Sequence, residues 1–97
     1  MKSWLVKQAL RGVAGTVRGG SNTFINLAGN WLDSGAKSAL RKNSGRIADV
    51  IDDVADLPDL ATHAVRGHVY NGLKGFLGHG TANVIANAVE GVMWILL

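Results

Sequence analysis

Ile47-Ala48-Asp49-Val50-Ile51-Asp52-Asp53-Val54-Ala55-Asp56-Leu57-Pro58-Asp59 is the stretch that decides the fold class. Ile47, Val50, Ile51, Val54 and Leu57 recur at i, i+3, i+4, i+7 and i+10, which is one face of a helix. Asp49, Asp52, Asp53 and Asp56 recur at i, i+3, i+4 and i+7 and line the opposite face. The spacing predicts an acidic amphipathic helix over 45–57, ended by Pro58, which lacks an N–H and disfavours helix before it. Five of the seven acidic residues lie in this stretch, so charge is segregated around it.

Upstream, eight Lys/Arg (Lys2, Lys7, Arg11, Arg18, Lys37, Arg41, Lys42, Arg46) face one acid, Asp33. Two basic helices are predicted there. The first, 3–18, has Val6, Ala9, Leu10, Val13 and Val17 on its apolar face and Ser3 as N-cap. The second, 22–42, carries Phe24, Ile25, Ala28, Trp31, Leu32, Ala36 and Leu40 on a wide apolar face, capped by Ser21. Downstream, Asp59 is expected to cap a glycine-rich helix over 60–78. Gly78-His79-Gly80 then breaks the chain before an apolar helix over 82–97. No alternating strand pattern appears. The expectation is a single all-α domain over 1–97. It has four to five short, glycine-broken amphipathic helices, ordered by oligomerisation because a chain this small is marginal alone.

The charge blocks suggest how copies would meet. Lys37, Arg41, Lys42 and Arg46 complement Asp49, Asp52, Asp53 and Asp56, either across the Asn43-Ser44-Gly45 turn or head-to-tail between copies. His68, Gly72, Gly75 and His79 form a small-residue groove that admits a neighbouring helix at close range. Trp4, Lys7 and Arg11 give the first helix the composition of an interfacial membrane helix. Asn83, Asn87, Glu90 and Trp94 make one narrow polar stripe on the last helix, which faces water in a monomer or a wet lumen in a ring. The final Val92–Leu97 run has no polar side and needs a cover.

Enzymatic chemistry is not expected. Asp52-Asp53-Val54-Ala55-Asp56 matches the Asp-Asp-x-x-Asp pattern of prenyl-transferring enzymes, where carboxylates hold magnesium against a diphosphate. That chemistry needs a large helical cavity and a second acidic cluster, and 97 residues supply neither. His63, His68 and His79 lack metal-ligand spacing and no cysteine joins them, so no cofactor and no small-molecule substrate are expected. Asp59 and His63, at i and i+4, are placed to pair locally. Lys7 and Arg11 interrupt any secretory h-region, so no signal peptide is read.

The composition points to a small non-enzymatic helical subunit of a homo-oligomer acting at a membrane, as a channel, tube or translocation component of phage type. Its partners are copies of itself and lipid. Membrane association, or a place within a virion or extracellular assembly, is expected over free cytoplasm. Two alternatives are a leaderless-type cationic antibacterial protein and a soluble virion or adaptor protein. The latter binds protein or nucleic acid, the nucleic acid disfavoured by the acidic helix beside the basic block.

Overall fold

The computed structural model describes residues 3–97, with side chains from Trp4 onward; the Ser3 cap and Lys2 lie outside the described side chains. Among the described residues the chain is all-helical. Its elements are α1 (Ser3–Val17), α2 (Asn22–Ala28), a 3₁₀ turn (Gly29–Trp31), α3 (Ser34–Lys42), α4 (Ser44–Ala55), α5 (Thr62–Leu77) and α6 (His79–Leu96). The count is therefore six α-helices rather than four to five.

The extra helix comes from the predicted 22–42 segment, which splits in two. Its apolar spacing runs unbroken through Trp31 and Leu32, but the backbone turns there. Leu32 is extended, and Asp33 starts a new helix by accepting a hydrogen bond from the Ala36 N–H at 2.8 Å. Ser21 does not cap α2. It sits at φ 69°, fully buried, and its hydroxyl is oriented backwards to the Val17 and Leu40 carbonyls at 3.1 and 3.0 Å. That contact ties the start of α2 to the end of α3, and both short helices lie against α6.

The other boundaries shift by a few residues. α4 ends at Ala55, before the proline, because the Asp56 and Leu57 N–H groups close a tightened last turn on Asp52, Asp53 and Val54. Asp59 does not cap the next helix; it sits at φ 51° in the turn, and α5 starts after Ala61 without a side-chain cap. The break before α6 is the single residue Gly78, at φ 82°, so His79 and Gly80 are already helical.

α1, α4, α5 and α6 form the core bundle. α1 packs chiefly on α4 and α6, and α5 chiefly on α6. The first turn of α4 lies against the end of α5, with the Arg46 guanidinium 3.9 Å from the Phe76 ring centre. Arg18, beyond the end of α1, bonds Asp49 midway along α4, and Arg11, further back in α1, bonds Asp56 beyond the end of α4, so α1 and α4 run antiparallel. One end of the 34 × 25 × 20 Å molecule thus gathers the ends of α1, α3 and α5 with the starts of α4 and α6. The other gathers the start of α1 with the end of α6.

Single-chain packing already encloses a core. Val6, Leu10, Val13 and Val17 of α1 are fully buried with Ile47 and Ile51 of α4, Val65, Val69 and Leu73 of α5, and Ile85, Val89 and Met93 of α6. The buried face of α4 is rotated from the predicted one. Ala48 and Ala55 join Ile47, Ile51 and Val54 inside, while Val50 and Leu57 are half-buried at the edge. Alanines seven apart are small enough to let α4 approach its neighbours closely.

Candidate functional site

Of the sequence-nominated groups, the aspartates resolve most clearly. Asp49 and Asp52 both receive the Arg18 guanidinium, at 3.1 and 2.7 Å, and Asp56 receives Arg11 at 2.8 Å. These partners come from α1 and its C-terminal edge, not from Lys37–Arg46. The acids and the upstream block share one turn, but antiparallel packing of α4 on α1 turns the aspartates the other way. The signal was present: Arg11 and Arg18 are seven apart, as are Asp49 and Asp56. The Arg18 pKa is raised, first by the Asp49 hydrogen bond, with partial desolvation opposing it and the Asp52 hydrogen bond and the two aspartate charges adding to the rise. Asp53 points elsewhere, into an open groove between α4 and α5 lined also by Val50, Val54, Leu57, His68 and Gly72.

The predicted glycine groove is only partly continuous. His68 and Gly72 do face a neighbouring helix, and that helix is α4 of the same chain. A Cβ built on Gly72 would lie 2.5 Å from Val50 Cγ1. Gly75 meets open space. His79 belongs to α6, where its Nδ1 and the Tyr70 hydroxyl share a hydrogen bond across the Gly78 turn. Asp59 and His63 form no ion pair among the described residues. Nor does any group of three His, Asp or Glu side chains there suit a metal.

Release of the aspartates leaves the basic block without its expected complement. Arg41, Lys42 and Arg46 are exposed on either side of Asn43, Lys37 is half-buried one turn earlier, and none pairs with a carboxylate among the described residues. On α5 the Lys74 ammonium lies 5.6 Å from the Tyr70 ring centre, one turn back along the same helix. The Arg46–Phe76 contact was not identifiable from the sequence, because only the α4–α5 packing makes it.

Apolar side chains collect at the opposite end. Leu5, Gln8, Ala9 and Gly12 of α1 line a shallow groove with Leu96 and Leu97. Trp4 is 58% exposed, Leu5 40%, Trp94 52% and Ile95 55%. Lys7, half-buried, is on the first helical turns of the same end, and Arg11 is occupied by Asp56. The polar stripe of α6 faces outward: Asn83 and Asn87 are exposed and Glu90 half-buried, leading to Trp94. No helix among the described residues is long and apolar enough to cross a membrane.

A family model described as "Uncharacterised protein YqxI" matches residues 1–95. The chain belongs to this family. No curated protein and no solved structure matches it.

Proposed function

We propose that this protein is a small, non-enzymatic helical subunit that works at a membrane interface, seated by the apolar end where α1 begins and α6 finishes. The observation that carries the reading is the cluster of Trp4, Leu5, Trp94, Ile95, Leu96 and Leu97, each two-fifths or more exposed. Leu5, Leu96 and Leu97 among them share one groove, and exposed apolar surface of this kind is normally covered. Two tryptophans at its margin suit the headgroup layer, where one side of the indole meets hydrocarbon and the N–H meets water. Covering the exposed half of such a side chain is worth about 1 kcal/mol, so six together contribute several. Seating is interfacial, and passage of anything through the bilayer would fall to an assembly of several copies.

Tryptophan emission with vesicles tests this. Vesicles are expected to shift the emission to the blue, with quenching by lipids brominated near the headgroups. Trp4→Ala combined with Trp94→Ala should weaken partitioning about tenfold or more. A protein whose emission and sedimentation ignore vesicles of any composition would overturn the reading. Mass in solution, with and without detergent, reports whether the same surface instead joins copies.

A further inference from the structure

We infer that the α4–α5 face of the molecule is a two-fold contact between two copies of this chain, in which Arg46 of each copy meets Asp53 of the other on either side of Val50. This contact is separate from the apolar end and does not depend on membrane seating. Three observations carry it.

Two opposite charges on α4 are left without ion-pair partners. Asp49 and Asp52 hold Arg18 and Asp56 holds Arg11, whereas Asp53 pairs with no cation among the described residues. Asp53 sits in the last turn of α4, where the helix dipole disfavours a carboxylate. Arg46 is its counterpart. It is exposed in the first turn of α4, where the dipole disfavours a cation, and it too has no carboxylate partner among the described residues. Each charge gains from an opposite one brought from outside.

Their placement is self-complementary. Arg46 and Asp53 are seven residues apart, within about 20° of two full turns, so they share one side of α4 at a separation of about 10 Å along its axis. Val50 lies next to the midpoint between them. A second α4 laid antiparallel across a two-fold axis at Val50 sets Arg46 against Asp53 at both ends at once. A parallel copy would set like charge against like. The pattern thus selects the closed, isologous pair over a head-to-tail chain.

The surroundings leave room for such a neighbour. Val50, Val54 and Leu57 line the open groove beside Asp53 with His68 and Gly72 of α5, with about 300 Å³ of free space. Gly72 lets Val50 lie against bare α5 backbone, and Gly75, one turn on, has open space where a side chain would stand. The α5 flank is therefore low beside Val50, and small residues of this kind let a helix approach closely. The Arg46 guanidinium is held over Phe76, 3.9 Å from the ring centre. Stacking occupies a face of the guanidinium and leaves its N–H edge free to take a carboxylate.

Sedimentation equilibrium of the full chain at about 50 mM salt should show a mass that rises with concentration toward two copies, and association should weaken as salt is raised. Asp53→Arg and Arg46→Asp each set like charges opposite one another and should each weaken association more than about tenfold. Both substitutions suit the local helix dipole, so α4 should remain folded. An equimolar mixture of the two variants should dimerise, because one copy then offers two cations and the other two carboxylates. The double variant Arg46→Asp with Asp53→Arg should dimerise by itself. Trp4→Ala with Trp94→Ala should leave the dimer unchanged, which separates this contact from the apolar end. A wild type that stays monomeric up to about 1 mM would overturn the proposal and leave the face to another partner. A mixture of the two charge variants that stays monomeric, or loss of the dimer in the tryptophan variant, would overturn it equally.

Discussion

Trp31 lies over Gly91. A Cβ built on that glycine would be 2.5 Å from Cζ3 and 2.7 Å from Cη2 of the indole, so the turn between α2 and α3 rests on α6 through a ring against bare backbone. Gly91→Ala must displace the ring, which is itself half-exposed and able to move. Overpacking costs about 1–3 kcal/mol, and alanine returns about 1 kcal/mol of helix propensity. A net loss of about 1 kcal/mol in urea unfolding is expected, with a red shift of Trp31 emission.

The α5 glycines separate by the same reasoning. Gly72→Ala meets Val50 Cγ1 on a β-branched side chain that rotates poorly in a helix, and should cost about 1–3 kcal/mol. Gly67 is open to solvent in mid-helix, so Gly67→Ala should stabilise by up to about 1 kcal/mol. Equal effects at the two sites would contradict the close approach of α4 and α5.

Asp33 holds the start of a nine-residue helix. Asp33→Ala should cost about 1 kcal/mol, and Asp33→Asn or Asp33→Ser much less. Hydrogen exchange should show the loss confined first to the opening turn of α3.

Ser21→Ala removes the hydroxyl that ties the α1 end to the α3 end and should cost about 1 kcal/mol. Ser21→Gly loses the same contact but suits φ 69°, so it should be less harmful than alanine. Thermal melts of the two variants side by side decide the order.

Arg18 serves two carboxylates and Arg11 one, so Arg18→Ala should lower the melting temperature more, with the difference shrinking in high salt. The Arg18 pKa is raised on folding, so its stabilisation is present below the unfolded value and is lost only as pH rises through a still higher one. The gap between wild type and Arg18→Ala should therefore stay constant from about pH 8 to 11, where arginine remains charged in both states.

Helical class, the acidic helix and most of the buried faces were legible in the sequence. Val6, Leu10, Val13 and Val17, or Ile47, Ile51 and Val54, repeat at a period that only a helix buries on one side. The apolar tail of α6 was legible as well, since Val92–Leu97 offers no polar face at any rotation. The kink at Gly29–Trp31 was not, because the apolar spacing continues through it and only the room over Gly91 turns Trp31 aside.

Sequence alone determined the local periods, the charge blocks and the helix breaks, because each depends on neighbours a turn or two away. Tertiary structure decided which charges meet. Asp49, Asp52 and Asp56 are a few residues from Lys37–Arg46, yet they bind arginines more than thirty positions upstream. The buried face of α4 is fixed by Ala48, Ile51 and Ala55, and burying it against α1 orients everything else on the helix. Core packing involves many contacts and exposed ion pairs few, so the apolar face sets the rotation and the charges pair with whatever it brings near. That choice leaves one end of the molecule basic and the other apolar, a polarity no local pattern encodes.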